Sequence, residues 1–160
     1  MLRVGIGYDS HRFAPDRRLV LAGVEIPYHL GLIGHSDADV AAHAVTDAIL
    51  GAAALGDIGA HFPPTEKEWK DADSILLLEA AARILDAEGY RVVNIDLTII
   101  CEEPKILPHV PEMRVKIAEA LGIGTGATSV KGTTNEGMGW IGRGEGIAAI
   151  AVAMITQSDP

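Results

Sequence analysis

The stretch Ile147-Ala148-Ala149-Ile150-Ala151-Val152-Ala153-Met154-Ile155 restricts the fold most, because it is apolar at every position. A strand with apolar side chains pointing both ways must be covered on both sides. Residues 146–156 are therefore predicted as a strand inside a sheet, and three helices are predicted elsewhere to cover it. Helices on one face leave the other to further copies of the chain, so a homo-oligomer is expected; a central strand in a monomer is the alternative. The covering material is small: hydrophobic residues make up 48% of the sequence, aromatics only 4%, and there are 18 glycines. Elements built from Ala, Val, Ile, Leu and Gly pack closely. At 160 residues the chain is expected to form one α+β domain, residues 1–160, with a proper core and no linker.

The next constraint is Gly34-His35-Ser36-Asp37-Ala38-Asp39 and the Ala-rich run that follows it to Leu55. Ser36 with Asp39 three residues on is a helix-start pattern, a hydroxyl for an orphan amide and an acid for the positive end. A helix is predicted over 37–55. Ala41, Val45, Ile49 and Ala52 form its apolar stripe. Asp39, His43 and Asp47 stack four apart on another face, where neighbours lie ~6 Å apart at Cβ, so Asp47 is expected to orient the His43 ring. Such a row is either a solvated polar face or a place for chemistry. Residues 2–7 read as a strand that breaks into a turn carrying Asp9 and His11, two apart and hence on one side. With His43 they make a mixed oxygen and nitrogen set of three ligands with a fourth position open, the makeup of a catalytic zinc site.

The remaining elements follow from punctuation and periodicity. Leu19–Leu21 and Val24–Ile26 form a hairpin. The loop His61-Phe62-Pro63-Pro64-Thr65, with adjacent prolines, is predicted as irregular and as a lid. A helix starts at Asp73-Ser74 with Ile75, Leu78, Ala82 and Leu85 on one face, and stops at Gly89. Tyr90–Ile100 is a strand with Val93, Ile95, Leu97 and Ile99 on one side; 102–108 is a stiff loop, 111–121 a helix, 130–134 a strand end. The formal net charge of -9 is the wrong sign for holding a nucleic-acid backbone. The single cysteine, Cys101, cannot form an internal disulfide and points to a reducing compartment. With neither a leader pattern nor an apolar span of ~20 residues, the expectation is a cytoplasmic protein with no membrane contact. Small anions remain as ligands: Arg12, Lys105, Lys131 and Arg143 stand beside loops, and the glycine-rich stretch 131–146 offers hydroxyls and amides for phosphate, with Glu136 for a hard cation. A flexible glycine loop is the alternative there. His35-Ser36, at a predicted helix start, is either a seat for phosphate oxygen or a staple beside the cap.

Six separated motifs resemble one family: Gly-Tyr-Asp-Ser-His-Arg-Phe at 7–13, His-Ser-Asp-Ala-Asp-Val at 35–40 with His43, Gly-Asp-Ile-Gly at 56–59, Pro-Lys-Ile-Leu-Pro at 104–108, Lys-Gly-Thr-Thr-Asn-Glu at 131–136 and Gly-Arg-Gly-Glu-Gly at 142–146. In that order, across nearly the whole chain, they are similar to the 2-C-methyl-D-erythritol 2,4-cyclodiphosphate synthases. The resemblance implies a ferredoxin-like mixed sheet with helices on one face, the other face packed in a homotrimer, and active sites between subunits. It implies a small-molecule diphosphocytidyl substrate, cyclised with release of CMP in the non-mevalonate route to isoprenoids. By the same resemblance Asp9, His11 and His43 would hold zinc, Glu136 would serve a magnesium or manganese ion at the diphosphate, and His35 and Thr134 would be catalytic. Asp57 and Gly59 would contact the erythritol part; Cys101, Pro104, Lys105, Ile106 and Leu107 would frame the cytidine; Thr133, Trp140 and Arg143 would line the diphosphate side. Asp9, Ser10, His11, His35, Ser36, Ile58, Phe62, Pro63, Thr134 and Glu136 fall among the implied substrate contacts. The sequence departs from the common pattern at Pro64, where many members carry Asp, at Ile150, where many carry Glu near the trimer axis, and at Trp140, where Phe is usual. Outside the family, a zinc phosphohydrolase with Asp57 or Glu136 as base, or a metal-stabilised phosphate-binding oligomer, also accommodates the residues.

Overall fold

The computed structural model describes residues 1–63, 65 and 72–158. In chain order the elements are β1 (Leu2–Ala14), β2 (Leu19–Leu21), β3 (Val24–Ile26), β4 (Gly31–Leu32), α1 (Val40–Ala53), α2 (Ile58–His61), α3 (Ser74–Ala87), β5 (Tyr90–Ile100), α4 (Val110–Leu121), β6 (Thr128–Thr133), α5 (Gly139–Gly142) and β7 (Gly146–Gln157). The strand that is apolar throughout, β7, lies centrally as predicted, antiparallel to β1 on one side and to β5 on the other. β6 runs parallel to β5 and β4 pairs with the end of β1, giving the order β4-β1-β7-β5-β6, while β2 and β3 form a separate hairpin.

The class is α+β with a mixed sheet, but the ferredoxin-like order β-α-β-β-α-β is not followed. Among the four long strands the order is β-α-β-α-β-β, because β5 and β6 are parallel and a parallel pair requires a crossover, here α4. That leaves β7 to enter between β1 and β5. α1 packs on β1, β7 and β5, α3 on β5 and α4 on β6. The opposite face of the sheet carries an exposed apolar stripe, Leu2, Val4, Ile6 and Tyr8 of β1 with Val152 of β7.

Two features of the sequence bring α1 down onto β1. A Cβ added to Gly7 would lie 1.9 Å from the carbonyl oxygen of Ala44, and one on Gly5 would lie 2.1 Å from that of Ala48. Only glycine on the strand and small residues on the helix permit that approach. β1 itself runs on past Gly7, where a turn was predicted. Asp9 pairs with Ala149 and His11 with Ile147, because their backbones still find ladder partners on β7 and their side chains keep the strand's two-residue alternation. α1 begins at Val40, three residues later than predicted. Its cap is Asp39, not Ser36: the carboxylate accepts the amides of Ala41 (3.1 Å) and Ala42 (3.0 Å), and also those of Ala22 (2.8 Å) and Gly23 (2.7 Å) of the hairpin. Burial, helped by the nearby Asp37, pushes this carboxyl up to about 6 against the pull of the amides. Asp39 is thus a fully buried tie between the hairpin and α1, not part of a reactive row.

Three smaller corrections follow from local geometry. α1 ends on Ala54 in the left-handed region (φ 61°), ahead of the glycine expected there. A bulge between Val92 and Asn94 puts Val92, in place of Val93, on the buried side with Ile95, Leu97 and Ile99. His61 of the expected irregular lid belongs to the short α2, whereas Pro64 lies outside the described residues. Among the described residues no helix is long and apolar enough to cross a membrane.

Candidate active site

Asp9 and His11 point from β1 towards α1, on the same side of the strand as Gly5 and Gly7, and His43 meets them from the first turn of that helix. The Oδ2 atom of Asp9 is 2.9 Å from His11 Nε2 and 3.0 Å from His43 Nδ1, and the two nitrogens are 3.4 Å apart. Ligands about 2.0–2.2 Å from a tetrahedral ion stand ~3.4 Å from one another, so the three atoms fit a first-row cation with one position left for another ligand. Among the described residues this is the one group of three such side chains that could hold a metal. Burial alone would raise the Asp9 carboxyl, but hydrogen bonds and charge from His11 and His43 outweigh it and hold the group well below the usual range. Burial lowers His43; the hydrogen bond and charge of Asp9 outweigh that and raise it. A corner made of one anion and two imidazoles therefore stabilises positive charge at its centre.

Asp47 does not orient His43. Its Oδ1 accepts the amide of Ile58 at 2.8 Å, because the chain returns over this turn of α1 to start α2. The far nitrogen of His43, Nε2, is met instead by the hydroxyls of Ser74 (2.9 Å) and Ser36 (3.1 Å). Ser74 is in turn bonded through its hydroxyl and its amide to the two oxygens of Asp37. Sequence periodicity could not find Ser74, which stands 31 residues from His43; Asp73-Ser74 signalled only a helix start. Ser36 has its hydroxyl turned inward and is 6% exposed, while His35 is exposed.

A second group gathers at the same end of the sheet, after β5 and β6. Cys101, Glu102, Pro104, Lys105, Ile106, Leu107, Gly132, Thr133 and Thr134 line a cavity of about 240 Å³. The Cys101 thiol is buried and pushed up to about 11, mainly by that burial and further by Glu103 and Glu102, so it is no nucleophile at neutral pH. The sequence places Glu102 in a stiff loop without a role for its carboxylate; in the structure its Oε1 accepts the amides of Asn135 (2.8 Å) and Gly137 (3.3 Å) and fixes the loop that carries Thr134 and Glu136. The Thr134 hydroxyl donates to Glu136 Oε1 at 3.1 Å. Nor is the stretch 131–146 a free glycine loop: it contains α5, and a Cβ on Gly142 would lie 2.0 Å from the backbone of Gly137. Trp140 lines a pocket of about 330 Å³ with Ser10, His11, Arg12 and Glu145, and Arg143 is paired with Glu145 at 2.7 Å. Asp57 caps α2 through the amide of Ala60 (2.9 Å); it and Gly59 are exposed, Ile58 and Pro63 half-buried, and Phe62 packs in the core.

The register measures the gap between the two groups. Asp9 is opposite Ala149, Ala149 opposite Ile99, and Ile99 opposite Gly132. Three strand spacings of ~4.8 Å put the metal corner and the end of β6 about 14 Å apart in one chain.

Comparison with known proteins identifies the family and the fold. Residues 2–156 match the model of the YgbB family. The chain is 54% identical to the 2-C-methyl-D-erythritol 2,4-cyclodiphosphate synthase of Neisseria gonorrhoeae over 98% of both chains. It is 59% identical to that of Symbiobacterium thermophilum over 95% of this chain and 97% of that one. Among solved structures, the bifunctional IspDF of Campylobacter jejuni superposes with a TM-score of 0.96 at 41% identity, over 99% of this chain and 43% of that longer one. A CDP-bound 2C-methyl-D-erythritol-2,4-cyclodiphosphate synthase superposes with a TM-score of 0.88 at 34% identity, over 96% of this chain and 100% of that one. In fold, in motifs and over nearly its whole length, the chain belongs to the YgbB family.

Proposed function

We propose that this chain converts 4-diphosphocytidyl-2-C-methyl-D-erythritol 2-phosphate to 2-C-methyl-D-erythritol 2,4-cyclodiphosphate and CMP. The observation that carries the proposal is the convergence of Asp9, His11 and His43 within 3.4 Å of one another at the sheet end that also bears the 101–107 cavity. The 2-phosphate oxygen attacks the β-phosphorus, the bond from that phosphorus to the oxygen bridging it to the α-phosphorus breaks, and CMP leaves with that oxygen. The attacking phosphate has a second pKa near ~6 and is already mostly dianionic at neutral pH, so no protein base is required. A neutral Cys101 accords with this, as does the burial of Ser36 and Ser74, the serines that touch His43 among the described residues. What remains for the protein is to fold the substrate back on itself and neutralise crowded charge.

Asp9, His11 and His43 would hold zinc, and Glu136 would serve magnesium or manganese at the diphosphate. Divalent ions bound there supply Lewis acidity and charge neutralisation at phosphate oxygens. The exposed His35 and the Thr134 hydroxyl would donate to the β-phosphate as charge builds on it. The 104–107 backbone would read the cytosine edge, with Leu107, 80% exposed, free to cover it; a relative solved in a CDP-bound form supports a cytidine diphosphate as the kind of ligand. Asp57, Ile58, Gly59, Phe62 and Pro63 would close on the erythritol, and Trp140, Arg143 and Thr133 on the diphosphate. The working form would be a cytoplasmic homotrimer of single-domain subunits with sites between them. The bare stripe Leu2, Val4, Ile6, Tyr8 and Val152 supplies an apolar face for that assembly. Incubation with the substrate, zinc and magnesium, followed by phosphorus NMR, tests the proposal: cyclic diphosphate with CMP supports it. Linear phosphate would reassign the chain to the hydrolases, and an unchanged spectrum would reassign it to a binding protein.

A further inference from the structure

We infer that Ser74, anchored by Asp37, is a positioning residue that fixes the tautomer of His43 and so aims its Nδ1 lone pair into the metal corner. The inference rests on the reading of Asp9, His11 and His43 as metal ligands and assigns what holds one of them. The hydrogen that decides the network is that of the Ser74 hydroxyl, which Asp37 claims. Asp37 presents two carboxylate oxygens, one accepting the Ser74 hydroxyl and the Asp39 amide (3.1 Å), the other accepting the Ser74 amide (3.1 Å). With its own hydrogen spent on Asp37, Ser74 Oγ can only accept from His43 Nε2, 2.9 Å away. Its second lone pair faces Ser36 Oγ at 3.3 Å, whose own lone pair takes the amide of Ala38 at 3.2 Å. The Ser36 hydroxyl, 3.3 Å from Ser74 Oγ and 3.1 Å from Nε2, can donate to Ser74 while its other lone pair accepts from the ring. An unprotonated Nε2, by contrast, would set its lone pair against that of Ser74 at 2.9 Å. Nε2 must therefore be the protonated nitrogen of the neutral ring, leaving Nδ1 as the ligand atom, 3.0 Å from Asp9 and 3.4 Å from His11.

The placement is rigid. Ser74 is fully buried at the first turn of α3, and Ser36 is 6% exposed. α1 and α3 pack directly on one another, so the ring is gripped between the helix that carries it and the helix that bears its hydroxyl partner. Outer partners of this kind set the tautomer and ring orientation of a ligating histidine, and their loss lowers metal affinity by about 10–100-fold.

The test is zinc affinity by competition with a chromophoric chelator, and the visible spectrum of the cobalt-substituted protein, for wild type, Ser74→Ala, Ser74→Thr and Asp37→Asn. Ser74→Ala is expected to bind one ion about 10–100-fold more weakly, with a changed cobalt spectrum, while its metal-free melting temperature stays near that of the metal-free wild type. Ser74→Thr, which keeps the hydroxyl, is expected to recover most of the affinity. Should Ser74→Ala fail to fold, Asp37→Asn decides: with one acceptor oxygen in place of two it can hold the hydroxyl or the amide of Ser74 but not both, so the hold on Ser74 weakens and a loss of about 3-fold or more is expected. Wild-type affinity and spectrum in the folded Ser74→Ala protein, or in Asp37→Asn where that one decides, would overturn the inference. Absence of zinc or cobalt binding by the wild type would overturn the metal reading itself, a separate result.

Discussion

Two corners at the same end of the sheet are built by opposite means. The metal corner is made of side chains on regular elements, seated by glycine-on-helix contacts at Gly5 and Gly7 and gripped from behind by Ser74 and Asp37. The 101–107 and 133–137 corner is made largely of loop backbone, tied by the Cys101 amide on the Thr133 carbonyl and by Glu102, whose carboxylate collects two amides. In the first, a ligand's position is inherited from the packing of α1 on β1, so small changes in packing reach the chemistry. In the second, side chains such as Lys105 and Leu107 are exposed, so changes to them should alter binding without reaching the fold.

The sharpest way to break this comparison is to change one atom in the first corner. Asp9→Asn keeps the shape and removes the anion, and is expected to lower kcat/KM for cyclisation by about 1,000-fold, roughly 4 kcal/mol. The matching change in the second corner, Lys105→Ala, is expected to raise KM by about 10-fold or less and to leave kcat within about 2-fold. Initial rates of CMP release across a substrate series measure both. Full activity in Asp9→Asn would remove its role as ligand, and a collapse of kcat in Lys105→Ala would erase the distinction between the corners.

Packing supplies the second contrast. Gly7→Val places a branched side chain where even a methyl carbon would lie 1.9 Å from Ala44 oxygen, and is expected to cost about 3 kcal/mol of stability as α1 is pushed outward. Zinc affinity should fall with it, because His43 moves with the helix. Gly137→Ala, at φ 73° with nothing within 4 Å of an added Cβ, is expected to cost only about 1 kcal/mol, from the backbone conformation alone. Denaturant melts of the two proteins, with zinc affinities, separate these outcomes; equal losses would show that α1 is not closely seated. Chelation is a gentler probe of the same corner. At free zinc about 100-fold above Kd, removing the ion is expected to lower unfolding stability by about 2.7 kcal/mol. The shift should persist in Gly137→Ala and vanish in His43→Ala.

The division also tracks what could be read from the sequence. Asp9, His11 and His43 were legible because of their spacing: two apart at the end of a strand, or on the polar row of a helix whose other face is an apolar stripe. Even there the cap was misplaced. Ser36 and Asp39 are both good capping residues, and only the hairpin amides of Ala22 and Gly23, unseen in local pattern, draw Asp39 into the cap. Asp47 was given to His43 on spacing alone, whereas the competing amide of Ile58 comes from a turn eleven residues on. Ser74 and Glu102 act across 31 and 33 residues, contacts no periodicity encodes. The strand order escaped for a related reason: pattern gives each strand its faces, but a parallel pairing of β5 with β6 is decided by where α4 packs.

Glu102 gives the smallest of these effects and the finest test of a backbone-built corner. Its Oε1 alone takes the amides of Asn135 and Gly137, so a neutral oxygen in the same place should serve nearly as well. Glu102→Gln is therefore expected to keep KM for the diphosphocytidyl substrate within about 2-fold, because amide and carboxylate oxygens both accept. Glu102→Ala removes both bonds, loosens the loop that carries Thr134 and Glu136, and is expected to raise KM by about 10-fold, near 1.4 kcal/mol, in the range of one or two net hydrogen bonds. Neither change should move the melting temperature by more than about 2 °C, since the loop contributes little to the core. If Gln proved as damaging as Ala, the charge of Glu102 would matter more than its acceptor oxygen. The second corner would then depend on side-chain electrostatics just as the first does.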